Sequence, residues 1–385
     1  MIPYGRQHIS EDDIAAVCAV LRSDWLTQGP AVERFEQAVA EQCGARYAVA
    51  VSNATAALHI ACLAAGLGPG AAAWTSPNTF VASANCALYC GAAPGFVDID
   101  AGTLNMSVDA LADRLAAARR SGQVPRVVVP VHFGGQSCDM AGIAALAEEY
   151  GFAVIEDASH AIGGRYRGAP VGSCQFSDMT VFSFHPVKIV TSGEGGMVLT
   201  NSRAHYEQLL LLRSHGVTRA RERMEGEPDG PWYYEQVDLG FNYRITDLQA
   251  ALGASQMARL DSFVARRRQL AQRYDALLDG LPLDFQASHP DAQSATHLYV
   301  VRLRLDRIGA SHRQVFEHLR ARGIGVNLHY IPVHTQPYYR RLGFAWGDFP
   351  QAEQYYREAI SLPMFYGLSE AEQDRVVEAL REVLR

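Results

Sequence analysis

The sequence predicts an α/β protein built on a mostly parallel sheet, followed by a smaller α+β unit. Two observations lead to this fold class. Continuous apolar runs of strand length alternate with helical patterns through the first half of the chain, which is typical of a parallel sheet covered on both faces. The chain also has 385 residues, of which 48% are hydrophobic and 19% charged, enough for two domains with sizeable cores.

The first half of the chain predicts its helices and strands in a regular order. Ser10 opens a capped helix, and a polar loop over residues 23–30 separates this helix from the next. After the first strand, the turn Ser52–Thr55 caps an alanine-rich helix that runs to about Gly66. The other predicted helices cover residues 10–22, 32–43, 107–120 and 140–150 and a segment starting at 78, and the strands cover 46–51, 72–76, 95–99, 126–133, 153–156, 180–184 and 197–200.

The second half predicts a flap, a long helix and a small unit. Residues 213–234 are polar and rich in glycine and proline, which favours a long loop or flap. From Thr246 a helical pattern extends towards Leu281. We therefore divide the chain into a large domain, residues 1–245, and a linking helix with a small C-terminal domain, residues 246–385. The small domain is predicted to contain strands 297–305 and 324–329 and helices 311–322 and 370–384.

Composition excludes several classes of function. The net charge is −7 and no strongly basic tract occurs, so nucleic acid is not an expected partner. Residues 47–97 carry no Asp, Glu, Lys or Arg, but prolines interrupt them and alanine dominates, so we expect buried α/β core and no membrane span. Seven cysteines without a CxxC pair and an N-terminus without an apolar signal core predict a reduced, cytoplasmic protein.

Of the 34 Lys and Arg residues, 33 are arginine and the single lysine is Lys188. Arginine replaces lysine as a surface charge, but a guanidinium stays protonated and cannot act as an amine nucleophile. Lys188 follows an apolar, β-branched run (180–184) and precedes a Gly-Glu-Gly-Gly turn and a second apolar run (197–200). We therefore predict that it lies on a tight loop between two buried strands, where burial lowers its pKa and favours the neutral amine. The alternative is a surface lysine that survived by chance.

These motifs match what pyridoxal 5'-phosphate (PLP) requires from a protein: an amine, a carboxylate for the pyridine nitrogen, a phosphate cup and a flat surface against the ring. We assign them to Lys188, to Asp157, to the Ser52–Thr55 turn with Ala54 and Thr55, and to Phe80. His160 and Ser183 are further candidates for contacts with the ring and the phosphate. Taken singly, each of these motifs other than Lys188 is weak evidence, and we predict no metal ion in this site.

The residues also carry a family resemblance along nearly the whole chain. The motifs are Glu156–Ala161, Ser183–Lys188, Gly193–Gly196, Ser214–Gly216 and Gly240–Arg244. They resemble the sugar aminotransferases of the DegT/DnrJ/EryC1/StrS family. The resemblance implies the aspartate-aminotransferase-like fold of PLP-dependent transferases (fold type I) and a homodimer whose active sites lie between the subunits.

The resemblance also implies site residues and substrates. Asn242 would reach the cofactor phosphate of the partner subunit. Substrate would contact Tyr4, Asp24, Trp25, Leu26, Thr27, His329 and Tyr330. Within the family, residues 2–4, 26–29, 159–160 and 329–332 are most similar to the aminotransferases of pseudaminic acid biosynthesis. This similarity implies transfer of the amino group of L-glutamate to C4 of a UDP-linked 4-keto-6-deoxy-N-acetylhexosamine.

The predicted fold class is also compatible with functions other than sugar amination. A nicotinamide oxidoreductase would carry GxGxxG after the first strand, and none occurs there. A sugar 3-dehydratase on the same scaffold would replace the lysine that is present at 188. An aminotransferase for another nucleotide-linked keto sugar, acting at C3 or C4, and a non-catalytic PLP-binding regulatory protein stay open as alternatives.

Overall fold

A computed structural model describes residues 1–384 of the chain, and its strands and helices follow the predicted alternation. The strands are β1 (Tyr47–Val51), β2 (Ala72–Thr75), β3 (Ala93–Phe96), β4 (Val127–Val129), β5 (Ala153–Asp157), β6 (Arg165–Tyr166), β7 (Ala169–Pro170), β8 (Met179–Ser183), β9 (Gly196–Thr200), β10 (Val217–Thr218), β11 (Glu235–Gln236), β12 (Leu283–Phe285), β13 (Ala292–Gln293), β14 (Tyr299–Leu303) and β15 (Ala359–Leu362). The helices are α1 (Glu11–Leu21), α2 (Pro30–Cys43), α3 (Ala54–Ala64), α4 (Ala82–Tyr89), α5 (Val108–Ser121), α6 (Met140–Tyr150), α7 (Arg203–Arg213), α8 (Asp247–Met257), α9 (Leu260–Leu278), α10 (His312–Ala321), α11 (Pro337–Arg340), α12 (Pro350–Glu358) and α13 (Glu370–Val383).

The central sheet has the strand order β1-β9-β8-β5-β4-β2-β3. Strand β9 runs antiparallel to its neighbours β1 and β8, and the remaining adjacent pairs are parallel. The mostly parallel sheet that the sequence predicts is therefore confirmed. Because β1, β8 and β5 point the same way, their carboxyl ends lie along one edge, where ligands bind in sheets of this kind.

Both faces of this sheet are buried, which explains why its strands are apolar without alternation. On β1, Ala48 and Ala50 pack with Phe35 of α2, while Val49 and Val51 pack on the opposite face with Leu58 of α3. Successive side chains of a strand point to opposite faces, so a strand covered on both sides is apolar at every position.

The C-terminal part forms the antiparallel sheet β12-β14-β15 with α10 and α13 packed on it. The beginning of the chain joins this unit, because the Ile2 N–H donates to the Gly323 carbonyl at 2.8 Å and Ile2 is buried among the same apolar residues. This contact brings Tyr4 towards the edge of the central sheet. The division of the chain near residue 245 stays a prediction.

Two predicted elements differ in the structure. The helix expected from Thr246 to Leu281 is broken into α8 and α9, where Gln256 in the last turn of α8 and Arg259 at the break both donate to the Asp13 carboxylate of α1. The strand expected over 324–329 is not formed. Ile324 makes a single bridge with Ile2 and Asn327 one with Ser361, and no continuous ladder connects the two. Both differences, the helix break and the missing strand, occur where the chain contacts residues that are distant in sequence.

The structure also contains elements that the pattern did not predict, and it bears on two further expectations. Helix α7 was not predicted, and the flap carries the short hairpin β10–β11. The seven cysteines are free thiols, as expected. Among residues 1–384, none of the helices combines the length and apolarity that a membrane crossing needs.

Candidate active site

A cavity of about 990 Å³ opens at the carboxyl ends of β1, β5 and β8. It brings together ten of the residues predicted for the site. They are Tyr4, Ala54, Thr55, Phe80, Asp157, His160, Ser183, Lys188, His329 and Tyr330. These residues come from segments between positions 4 and 330, so their convergence is a property of the fold.

Lys188 lies on the predicted loop between two buried strands. Its backbone N–H donates to the His185 carbonyl at 2.9 Å, and the Ser192 N–H closes the loop by donating to the Phe184 carbonyl at 3.0 Å. The side chain lines the cavity and is partly buried. Burial lowers the pKa of Lys188 from 10.5 to about 8, although the nearby Asp157 opposes the shift. The amine is therefore available in its neutral form near physiological pH.

Asp157 ends β5 with its carboxylate held from two sides. Ser159 donates to Oδ1 through its backbone N–H at 3.1 Å and its hydroxyl at 2.6 Å, and Ser83 Oγ donates to Oδ2 at 2.6 Å. The Ser83 hydroxyl in turn contacts Thr79 Oγ1 at 2.7 Å. These contacts fix the direction of the carboxylate at the cavity wall and leave acceptor capacity for one ligand donor.

The N-terminus of α3 supplies the expected turn for a phosphate. Asn53 caps the helix by accepting the Ala56 N–H at 2.8 Å, while the first-turn N–H groups of Ala54 and Thr55 have no carbonyl to bind within the helix. Gly196 of β9 allows this turn to approach, since a Cβ there would lie 2.5 Å from the Asn53 carbonyl carbon and oxygen and 2.7 Å from the Ala54 nitrogen. Ser183, at the end of β8, also lines the cavity.

One wall of the cavity is made of neutral aromatic side chains. Burial raises the pKa of Tyr330, so its hydroxyl stays protonated, and it lies within hydrogen-bond distance of His160 Nε2 at 3.1 Å. The His160 ring lies 4.5 Å from the His297 ring, centroid to centroid. Burial lowers the pKa of both histidines well below 6.5, with the Lys188 charge adding to the effect. In the described residues, Nδ1 of each ring is buried without a hydrogen-bond partner.

His329 continues this wall with a defined tautomer. The Asn327 amide oxygen accepts the Leu328 N–H, so its Nδ2 faces His329 Nε2 at 3.4 Å as a donor. His329 Nδ1 therefore carries the ring proton and donates to Ser361 Oγ at 2.8 Å. Burial, helped by the Lys188 charge, lowers the pKa of His329 to about 4. The Tyr4 ring packs 5.5 Å from this imidazole, centroid to centroid.

Phe80 lines the cavity beside Tyr330, with ring centroids 6.3 Å apart, yet 58% of its surface is exposed. Tyr89, another aromatic residue of the lining, is 52% exposed. Both rings therefore line the cavity, and this chain leaves more than half of the surface of each ring residue uncovered.

Five predicted residues lie outside the cavity. Asp24, Trp25, Leu26 and Thr27 form an exposed loop, and Asn242 is exposed on the Gly240–Arg244 turn. The two segments are neighbours. Arg244 Nη2 donates to Asn242 Oδ1 at 3.0 Å, and with the Gln28 amide oriented to accept, Arg244 Nε donates to its oxygen at 2.8 Å. These residues share one surface that is separate from the cavity of their own chain.

Several lining residues were not predicted. His59 lies one helical turn after Thr55 on α3 and contacts the Tyr243 hydroxyl at 3.2 Å, so the spacing of four was an available signal. His297 stands two residues before β14, at the start of the predicted strand 297–305, and the sequence pattern gives it no role beyond that strand. Glu194 is the acidic residue of the Gly-Glu-Gly-Gly turn.

The donor set fits PLP, the cofactor that the sequence predicts. The cavity combines an amine of lowered pKa, a fixed carboxylate, a helix N-terminus with free N–H groups and aromatic walls. The most specific evidence for this fit is the close contact of Gly196 with the turn at the α3 N-terminus, because a side chain at this position would displace the turn that is expected to hold the phosphate. In the described part of the chain, no arginine lines the cavity, so Lys188 is its one strongly basic group beside the acids Asp157 and Glu194.

Comparisons with known proteins agree with this geometry. The sequence model of the DegT/DnrJ/EryC1/StrS aminotransferase family matches residues 7–381. The spore coat polysaccharide biosynthesis protein SpsC of Bacillus subtilis is 39% identical over 387 residues, which cover 100% of this chain and 97% of SpsC.

Two solved structures are similar over the whole chain. The sugar aminotransferase Spr1654 of Streptococcus pneumoniae, solved in PMP and PLP forms, superposes in its PMP form with a TM-score of 0.90 at 28% identity, covering 100% of this chain and 99% of the other. Helicobacter pylori PseC, an aminotransferase involved in pseudaminic acid biosynthesis, gives a TM-score of 0.89 at 28% identity with the same coverage.

Proposed function

This chain belongs to the DegT/DnrJ/EryC1/StrS aminotransferase family and is a PLP-dependent sugar aminotransferase, and we propose that it aminates a pseudaminic acid precursor. The amino group of L-glutamate would pass to C4 of a UDP-linked 4-keto-6-deoxy-N-acetylhexosamine, UDP-4-dehydro-6-deoxy-β-L-AltNAc. The observation that carries the proposal is the neutral wall of Tyr4, His329 and Tyr330 in the cavity that contains Lys188. The similarity to PseC supports the choice of sugar.

The residues of the cavity have proposed roles in this reaction. Bound PLP supplies a ring that stabilises negative charge at the carbon bearing the amine. Lys188 Nζ binds the cofactor and moves the proton at Cα of glutamate. Asp157 keeps the proton on the pyridine nitrogen. The N–H groups of Ala54 and Thr55, together with Ser183, hold the phosphate, and Phe80 and His160 flank the ring.

The substrate side of the cavity suits uncharged groups. His329 is neutral because burial lowers its pKa, and the Tyr330 hydroxyl stays protonated. Such groups donate and accept hydrogen bonds without attracting an anion strongly. Hydroxyl and acetamido groups of a sugar are suitable ligands for them, and we place Tyr4 with them as a contact to the sugar.

We also propose a homodimer with shared sites. PLP, glutamate and a nucleotide diphosphate bring several negative charges, whereas Lys188 is the one strongly basic group in the described cavity lining. The missing donors would come from the partner through Asn242, with the loop Asp24, Trp25, Leu26 and Thr27 beside it. The exposed rings of Phe80 and Tyr89 at the cavity support a covering subunit.

A second candidate is a different nucleotide-linked keto sugar. The similarity to SpsC, at 39% identity, favours a substrate of polysaccharide synthesis, with amination at C3 or C4. The two candidates share the cofactor, the amino donor and a cytoplasmic location, which the seven free thiols support. They differ in the sugar and its nucleotide.

A substrate panel separates the candidates. The purified PLP-bound protein is incubated with L-glutamate and UDP-, dTDP- or GDP-linked 4-keto-6-deoxy sugars, and aminated products are identified by mass spectrometry and NMR. We expect the UDP-linked N-acetyl 4-keto sugar to give the highest kcat/KM, with the amine at C4. Preference for a dTDP- or GDP-linked sugar, or amination at C3, would replace the first proposal with the second.

A further inference from the structure

Glu156 immediately precedes Asp157 on β5 and has no assigned role. Successive residues of a strand point to opposite faces, so Glu156 points away from the side on which Asp157 reaches the cavity. Its side chain is buried, with 5% of the residue exposed. A carboxylate in such a place is strongly destabilising unless donors surround it.

Three side chains donate to this carboxylate. His132 Nε2 lies 2.6 Å from Oε2, and Oε1 accepts from Ser177 Oγ at 2.5 Å and Thr180 Oγ1 at 2.9 Å. Burial raises the pKa of Glu156, but the hydrogen bonds from these donors and the electrostatic attraction of His132 together outweigh it and lower the pKa overall. Apolar residues of similar volume usually stabilise a core as well as such a network does, so fold stability alone does not account for it.

His132 holds both members of the Glu156–Asp157 pair. Its backbone N–H donates to the Asp157 carbonyl at 3.1 Å. Its ring Nδ1 accepts the Cys138 N–H at 3.2 Å, which places the ring proton on Nε2, facing Glu156. The segment that follows β4 is therefore bonded to the backbone of one residue and to the side chain of the other.

Thr180 connects the same carboxylate to the strand that leads to the lysine. It lies directly opposite Glu156 in the parallel pairing of β5 with β8. Strand β8 ends at Ser183 and continues into the Lys188 loop. Glu156 thus joins the end of β4, the strand that carries Asp157 and the strand that precedes Lys188.

We propose that Glu156 is a positioning residue, whose hydrogen bonds to His132, Ser177 and Thr180 set the Asp157 carboxylate relative to the Lys188 amine. The inference rests on the proposed roles of Asp157 and Lys188. Hydrogen bonds are directional, so this network fixes the strand ends in a way that apolar packing would not. Small displacements between reacting groups lower rates strongly, which makes such a constraint useful for catalysis.

The test uses Glu156→Gln in the full-length, PLP-loaded protein. The amide keeps the shape of the side chain but removes its charge and replaces one acceptor oxygen with a donor, so at least one of the three hydrogen bonds is lost or reversed in direction. We expect the pH midpoint of the cofactor's visible absorbance to shift by about 0.5 or more. We also expect kcat to fall about tenfold while the glutamate KM stays within about twofold.

Asp13→Asn provides a matched control, because Asp13 is a buried carboxylate that accepts from Ser255 Oγ and Gln256 Nε2, each at 2.7 Å, away from the cavity lining. We expect it to lower Tm without changing the absorbance titration. Ser177→Ala removes one donor to Glu156 and serves if Glu156→Gln does not fold. It should shift the titration in the same direction by a smaller amount.

This design distinguishes failure of the positioning role from failure of the proposed function. If the folded Glu156 or Ser177 variant loses stability as the Asp13 variant does, yet keeps the wild-type titration and kcat, the network is structural and the inference fails. If the wild-type protein itself shows no cofactor absorbance that responds to pH and glutamate, the proposed function fails, and the positioning role fails with it.

Discussion

At the residue scale, the environment of Lys188 explains how this lysine can present a neutral amine. A lysine with the ordinary pKa of 10.5 is neutral in about one molecule in a thousand at pH 7.5, whereas a pKa of about 8 makes roughly a quarter neutral. Burial in the cavity produces this change, and the attraction of Asp157 opposes it without reversing it. Arginine, which fills the other 33 basic positions, offers no such form.

This pKa predicts how cofactor attachment depends on pH. The rate at which apoprotein bonds PLP covalently should rise with pH, pass its midpoint at about 8 and then level off, because the neutral amine attacks. Stopped-flow absorbance at constant PLP measures this rate, with Lys188→Ala as the control that shows no such phase. A midpoint near 10.5 would contradict the effect of burial.

At the scale of elements, the approach of β9 to the α3 N-terminus depends on Gly196. A Cβ at this position would lie 2.5 Å from backbone atoms of Asn53, and a backbone cannot rotate away as a side chain can. We expect Gly196→Ala to displace the phosphate turn and weaken PLP binding by about tenfold or more. Fluorescence titration of apoprotein measures the Kd.

The matched control for this change is Gly68→Ala, because no atom lies within 4 Å of the added carbon and the backbone there is not left-handed. It should bind PLP like the wild type. Equal affinities for the two variants would show that the α3 turn tolerates displacement, and its role as the phosphate cup would be withdrawn.

The elements also show where sequence patterns suffice. Buried strands such as β5 and β8 have continuous apolar runs, so the sheet, Asp157 at a strand end and the Lys188 loop were predictable. The break between α8 and α9 was not, because it depends on Arg259 and Gln256 reaching Asp13, some 240 residues away. The apolar residues near 324–329 face the small core without forming a strand.

The site was predictable to the extent that its residues stand in local motifs. Asp157, Ser183 and Lys188 occur in such motifs, and the cavity contains them. His297 was missed because its contact with His160 joins segments far apart in sequence, and the carboxylate network of Glu156 has the same property. Long-range pairs of this kind have no local pattern.

At the scale of the whole molecule, the shared-site dimer predicts that two inactive variants complement each other. Lys188→Ala and Asn242→Ala homodimers should each be strongly impaired. After subunit exchange, half of the dimers are mixed and each mixed dimer has one site with both residues intact. Activity should therefore recover to about a quarter of the wild-type value.

Isotope-labelled subunits establish, by native mass spectrometry, that exchange has occurred. Mixing Lys188→Ala with wild type provides a control for dilution, because it adds no new intact pair of residues. If exchange is demonstrated and the doubly mutant mixture stays inactive, Asn242 acts within its own subunit and the shared-site proposal is wrong.

The most direct measurement concerns the single lysine. PLP-loaded protein is reduced with borohydride, digested and analysed by mass spectrometry, before and after exposure to excess L-glutamate. The account predicts a phosphopyridoxyl group on the peptide that contains Lys188, absent after glutamate and absent from Lys188→Ala, which still binds PLP non-covalently. A label on the Met1 amine in place of Lys188, or a Lys188 label that glutamate does not remove, would contradict it.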